Sequence, residues 1–219
     1  MFSGLVREIA KVRALENNIL RLESTYTPQI GDSIAVNGMC LTVIALHSDG
    51  FSLEISKHSA QSVAMENYTK CVHIEPALRA DSRLDGHFVQ GHIDSIGTIT
   101  AINPHANQTL FTIAADEPTL QLAIPQGSIT IDGISLTISS VQRDSFTLTL
   151  IPHTMQNTLF ASYRVGRRVN IETDVLVRSV AHILAKMSNA ESMRAFAANA
   201  LNTKPKPSWS ELDDIALRY

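Results

Sequence analysis

The chain has 219 residues, a length that suits one domain or two small ones. Hydrophobic residues make up 44% and charged residues 18%, a globular mix that excludes a disordered chain. A net charge of −3 offers no positive field to attract nucleic acid or an anionic membrane, and two cysteines, Cys40 and Cys71, are too few for a disulfide-built secreted scaffold.

The leading stretch MFSGLVREIAK carries Arg7, Glu8 and Lys11, where a signal peptide needs an unbroken apolar core. No apolar run approaches the roughly 18 residues needed to span a bilayer. The expected location is the cytoplasm. Further along, Ile34 and Val36, then Met39, Leu41 and Val43, place apolar side chains on one face at period two and predict two strands. Asn37-Gly38 and Asp49-Gly50 read as hairpin turns. The segment Pro76 to Gly86 (PALRADSRLDG) reads as a join.

Beyond the join the chain repeats itself. GDSIAVNGMCLTVIALHSDGFSLEIS (31–56) lies over GSITIDGISLTISSVQRDSFTLTLIP (127–152), with Gly38 over Gly133 and Phe51 over Phe146, both 95 positions apart. Val72-His-Ile-Glu75 lies over Val169-Asn-Ile-Glu172, and Gly4 over Gly91, which are 87 apart. Two copies at so long a period predict duplicated domains rather than a solenoid. Short runs rich in Val, Ile, Thr and Phe between turn residues predict a small antiparallel barrel in each copy. Asp132-Gly133 repeats the hairpin turn of Asn37-Gly38.

From about Asp174 the period changes. Leu176, Val180, Ile183 and Met187 form an apolar stripe at helical spacing, and the Ala-rich sequence continues the tendency to about Leu201. The stripe either packs on its own barrel or forms an oligomer contact. Lys204-Pro-Lys-Pro207 ends the helix, and Ser208 with Glu211 predicts a capping box for a last helix ending near Tyr219.

Each copy sets polar groups on one strand face: Cys40 and Thr42 in the first, Ser135 and Thr137 in the second. A polar segment follows in each, with His58-Ser59 in one and His153-Thr154 in the other. Such a face is either solvated barrel exterior or a cradle for a flat heterocycle whose rim alternates donors and acceptors. In GHFVQGHIDSIGTIT (86–100), His87 and His92 are five apart, so on a strand they face opposite ways and share no metal. Neither a metal-binding spacing nor a G-x-G-x-x-G loop is present. His73, His105 and His182 read as surface residues, and Arg167-Arg168 as a solvated loop pair. Only the second copy carries an imidazole, His92, directly after its leading glycine, and an imidazole exchanges protons near neutral pH.

These segments resemble one family. Met1-Phe-Ser-Gly-Leu-Val6, Gly31 to Val43, Gly86-His-Phe-Val-Gln-Gly-His-Ile-Asp94, Gly127 to Ile138, Ile151-Pro-His-Thr154 with Asn157-Thr158, and Gly166 to Asp174 occur in the order of the alpha-chain riboflavin synthases, of the lumazine-binding family. The resemblance implies a mainly β chain. It has two tandem six-stranded antiparallel Greek-key barrels, at 1–86 and 87–174, followed by a C-terminal helical tail, 175–219, that serves oligomerisation. It implies dismutation of two molecules of 6,7-dimethyl-8-ribityllumazine to riboflavin and 5-amino-6-(D-ribitylamino)uracil, without metal or redox cofactor. It also implies a homotrimer, with lumazine synthase as a candidate partner and no nucleic acid or membrane.

Carried over by position, the resemblance implies an N-terminal pocket of Gly4, Leu5, Val6, Cys40, Leu41, Thr42 and Glu54, Ile55, Ser56, Lys57, His58, Ser59. It implies a C-terminal pocket of Gly91, His92, Ile93, Ser135, Leu136, Thr137 and Ile151, Pro152, His153, Thr154, Met155, Gln156, with Gln126 where the family often has Lys. Ser33, Cys40, His92 and Asp174 stand at its catalytic positions. In this assignment His92 transfers a proton, Asp174 orients it, relays a proton or caps the helix, and Ser33 or Cys40 assists addition to the ring. The first pocket departs from the family, with His58-Ser59 in place of the usual Glu-Thr. A non-catalytic binder resembling lumazine protein is the alternative, and a barrel without a ligand is a third reading. His92, Ser135, Thr137 and Thr154 favour the enzyme.

Overall fold

A computed structural model describes residues 1–187. The first copy contributes β1 (Glu8–Glu16), β2 (Ile19–Glu23), β3 (Ser33–Val36), β4 (Met39–His47), β5 (Gly50–Glu54), the one-turn helix α1 (Lys57–Gln61) and β6 (Cys71–Pro76). The second contributes β7 (Ser95–His105), β8 (Gln108–Ala114), α2 (Glu117–Leu122), β9 (Ser128–Ile131), β10 (Ile134–Val141), β11 (Ser145–Leu150), α3 (Pro152–Asn157) and β12 (Arg168–Thr173). Helix α4 (Val175–Met187) follows. The strands close into two antiparallel six-stranded barrels, ordered β1-β2-β5-β4-β3-β6 and β10-β11-β8-β7-β12-β9. No helix among the described residues is long and apolar enough to cross a membrane.

Alternation fills each barrel. Leu20, Leu22, Ile34, Val36, Leu41, Phe51, Leu53, Val72 and Ile74 make one core. Ile99, Phe111, Ile113, Ile129, Ile131, Phe146, Leu148, Val169 and Ile171 make the other. Each such side chain contributes about 1.5–3 kcal/mol on burial. Register shifts at Val12/Ala14 and Val43/Ala45 recur at Ile99/Ala101 and Ile138/Ser140, the corresponding positions of the second copy. An extra residue bends and twists a strand, which helps so short a sheet to close.

The Asn37-Gly38 and Asp132-Gly133 turns form as expected, with both residues of each at positive φ. Asp49-Gly50 is corrected. His47 pairs directly with Gly50, so Ser48 and Asp49 make the turn and Gly50 opens β5. Asn17 and Asn18, with φ of 50° and 63°, make a further tight turn between β1 and β2 that the reading of turn dipeptides missed.

The two copies meet about a local two-fold. Phe2 and Val89, equivalent positions, pair with each other through two backbone hydrogen bonds of 2.7 and 3.1 Å. The Gly38 and Gly133 turns abut so closely that a Cβ on Gly38 would lie 2.8 Å from Gly133 N. Around them runs a buried polar network with the same symmetry. His73 N–H donates to Asn37 Oδ1 and Asn170 N–H to Asp132 Oδ1, both at 2.8 Å. Across the seam, the His73 ring meets Asp132 O at 3.0 Å, and Asn170 Nδ2 donates to Asn37 O at 2.9 Å.

This corrects the surface assignment of His73, which is 2% exposed. Arg167 is corrected likewise: it lies over the Tyr163 ring, 4.1 Å from its centroid, with Nη2 3.7 Å from buried Asp132. Arg168 pairs with Glu66.

The barrels and the first turn of α4 belong to one compact unit, Met1–Arg178, and the rest of α4 lies outside it. Within α4 the apolar stripe follows the expected helical spacing, and Leu176 in its first turn is 58% exposed. The expected continuation to Leu201 and the last helix from Ser208 lie outside the described residues.

Candidate active site

Leading segments cross between the barrels. Cys40 N–H on β4 donates to Gly91 O at 2.9 Å, and Ser135 N–H on β10 donates to Gly4 O at 2.8 Å. Ile93 packs on the first core and Val6 on the second. The expected groupings are therefore exchanged in space: Gly91, His92 and Ile93 lie against the first barrel, and Gly4, Leu5 and Val6 against the second. Position in sequence follows the copy, whereas position in space follows the exchange. Gly91 has φ +81°, and a Cβ there would lie 2.6 Å from Cys40 Cβ; Gly4 repeats both features against Ser135. Only glycine lets the leader lie this close to the strand.

Over the first barrel this arrangement encloses a cavity of about 270 Å³ lined by Met39, Cys40, His58, Ser59, Ser62, Val63, Gly91, His92 and Ile93. His92 is an exposed side chain at its wall. Ser56 caps α1, accepting Ser59 N–H at 3.0 Å, and the two hydroxyls lie 2.9 Å apart. That cap sets His58 and Ser59 at the cavity wall. Leu41 and Ile55 are buried in the barrel core, which leaves only their backbones for a ligand. Thr42, Glu54 and Lys57 are exposed.

Burial raises the Cys40 thiol above its ordinary pKa; a hydrogen bond with Ser33 opposes this. At neutral pH the group is a thiol rather than a nucleophilic thiolate.

The second barrel repeats the plan with different chemistry. Ser135 Oγ lies 2.7 Å from His87 Nδ1, and His87 Nε2 lies 3.2 Å from Thr130 Oγ1. Burial lowers the His87 pKa, with the charge of Asp174 opposing. His87 was thus a functional candidate hidden in the motif, missed because its partners stand 48 and 43 positions away. Thr137 is exposed, while Leu136 packs on the second core. Pro152, Met155 and Gln156 line a separate hollow of about 210 Å³ with His105. His153 and Thr154 lie on α3, where Asn157 and Thr158 bond back to their carbonyls. Ile151 precedes that helix and is exposed. Gln126 is exposed, and its N–H donates to Ile138 O.

The Asp174 carboxylate accepts Leu176 N–H at 2.8 Å at the start of α4, and its field acts on His87. Both cysteines are free thiols. Two further carboxylates hold the crossing segments. Glu75 accepts the Ser3 and Gly4 amides, and Glu172 accepts those of Gln90 and Gly91. Burial raises the Glu172 pKa to about 7; the two amides oppose it, and Asp94 adds to it.

Comparison with known proteins places these features. The lumazine binding domain model matches residues 3–77 and again 90–174. A riboflavin synthase of Actinobacillus pleuropneumoniae is 34% identical over 195 residues, covering 85% of this chain and 91% of that one. The Bacillus subtilis riboflavin synthase is 32% identical over 203 residues, covering 89% and 94%. That of Mycobacterium tuberculosis is 37% identical over 200 residues, covering 84% and 98%. Among solved structures, LumP complexed with riboflavin aligns with a TM-score of 0.70 at 20% identity, covering 79% of this chain and 99% of that one. LumP complexed with 6,7-dimethyl-8-(1'-D-ribityl) lumazine aligns with a TM-score of 0.66 at 19% identity, with the same coverage. At those identities the structural likeness speaks for the fold.

Proposed function

Because the chain belongs to the lumazine-binding family, with both copies of the domain and kinship to the riboflavin synthases over most of its length, we propose that it catalyses their dismutation. Two molecules of 6,7-dimethyl-8-ribityllumazine give riboflavin and 5-amino-6-(D-ribitylamino)uracil by transfer of a four-carbon unit. The products contain the atoms of the two substrates, so the reaction needs no outside oxidant. It is a transferase reaction between two copies of one molecule, and a scaffold with two related pockets suits it.

The observation that carries this reading is the cavity over the first barrel. There the second copy's leader brings His92 beside Cys40 and His58. The acidic C7 methyl of the bound lumazine would face an imidazole, a side chain suited to general acid–base work. The remaining work is orientation, holding one ring against the other in attack geometry. Cys40, kept as a thiol beside Ser33, fits a hydrogen-bonding role better than a covalent one. Ser135, paired with His87, would hold the second ring.

We assign residues 1–86 and 87–174 as the two duplicated units and 175–219 as the oligomerising tail. The exposed Leu176 on an apolar stripe supports assembly into a homotrimer, in which pockets of neighbouring chains meet. A cytoplasmic location and lumazine synthase as a partner complete the reading.

The test is direct. Purified protein incubated with the lumazine should develop riboflavin absorbance. His92→Ala should still bind the lumazine but turn it over at least tenfold more slowly. Lumazine that binds and is never consumed would instead support a carrier.

A further inference from the structure

Each crossing leader ends on a buried carboxylate. Glu172, in β12, accepts Gln90 N–H on Oε1 at 2.7 Å and Gly91 N–H on Oε2 at 2.9 Å. Glu75, the equivalent residue in β6, accepts Ser3 N–H at 2.7 Å and the Ser3 hydroxyl at 2.8 Å on Oε1, and Gly4 N–H at 3.0 Å on Oε2. Both side chains are buried, at 1% and 4% exposure.

With both oxygens engaged by consecutive amides, each carboxylate fixes the plane and register of two peptide units. On its other side, Gly91 is bound through its carbonyl to Cys40 N–H of the opposite barrel. The next side chain is His92, at the cavity wall. Around Glu172, Arg178 pairs with Asp94 and donates to Gln90 Oε1 at 2.9 Å, so the clamp has a support of its own.

We propose that Glu172 is a positioning residue for the site over the first barrel, and Glu75 for the site over the second. Each holds, from its own barrel, the leader that completes the other barrel's pocket. This rests on the function proposed above. A glutamine in either place keeps the shape but accepts only one of the two amides, because its NH₂ then faces the other N–H.

The full-length chain is titrated with riboflavin, the product, which binds without turnover, and two binding steps per chain are followed by fluorescence. Glu172→Gln should weaken one step about tenfold or more and leave the other within twofold. Glu75→Gln should do the reverse. Adding His92→Ala to Glu172→Gln should produce little further loss in the affected step, whereas adding it to Glu75→Gln should be additive.

Equal weakening of both steps by Glu172→Gln, or no weakening of either, overturns the proposal. If Glu172→Gln does not fold, Glu172→Asp, which retains the charge and withdraws it by one methylene, must show the same one-sided loss. Wild-type protein that binds neither riboflavin nor the lumazine defeats the functional reading and this one with it. Wild-type binding with unchanged variants defeats the positioning role alone.

Discussion

His73 has its protonation state chosen by the backbone around it. Leu159 N–H donates to its Nε2 at 2.8 Å, so the ring proton sits on Nδ1, 3.0 Å from the Asp132 carbonyl. A second proton would have to oppose that N–H on a ring that is buried. Burial accordingly pulls its pKa from 6.5 to about 4, partly opposed by the bond to Asp132. Below pH 6.5 the unfolded chain takes up a proton that the native ring refuses. The stabilisation from this residue is therefore complete above 6.5 and is lost as pH falls toward 4, by roughly 3 kcal/mol at the lower end. His73→Gln should lower stability at pH 7.5 by roughly 2–4 kcal/mol and flatten this part of the acid limb, as read by urea unfolding from pH 4 to 7.5.

Sequence could not show His73 as buried. Its partners lie 59 and 86 positions away, and a histidine between Val72 and Ile74 has no local mark of burial. The same holds for Glu75 and Glu172: they were visible as the ends of matching V-x-I-E strings, while what they bind is set by closure of the barrels.

Among the elements, strands were legible and short helices were not. Period two exposed β3 and the first half of β4, where Ile34 and Val36, then Met39, Leu41 and Val43, recur at every second position. Helices α1, α2 and α3 have five or six residues, too few for a 3.6 period to register. Their starts were nonetheless written in the chain: Ser56 caps α1, and Asp116 before Glu117-Pro118 caps α2, accepting Thr119 N–H at 3.1 Å.

At α4, Asp174 serves as a capping carboxylate while its charge acts on His87. Two substitutions separate these duties. Asp174→Asn keeps an acceptor at the cap and should hold thermal stability within about 0.5 kcal/mol while slowing turnover. Asp174→Ala should slow turnover and also cost about 1 kcal/mol of stability. Calorimetry and a riboflavin-formation assay on the same preparations check both.

For the whole molecule, the duplication makes the architecture readable in the sequence. Two copies with matching turns, strands and terminal glutamates imply two matching barrels. The exchange of leaders was not readable, because a segment of a few residues pairs equally well with its own strand or with its neighbour's. Leu176 at the start of an apolar helical stripe sets an expectation for assembly. Light scattering of the intact protein should return three chains. Leu176→Glu with Val180→Glu should return fewer while leaving the barrel circular dichroism intact.

The crossed leaders also bear on what one half of the chain would do alone. A first copy expressed alone, residues 1–86, would have Cys40 uncovered and a Gly4–Val6 arm with nowhere of its own to lie. Two such fragments should satisfy each other by trading arms, with Phe2 against Phe2 in place of Phe2 against Val89, so that fragment 1–86 sediments as a dimer. Within one chain the two halves carry different residues after the leading glycine, Leu5 in one and His92 in the other, a difference that no symmetric pair of identical halves can have.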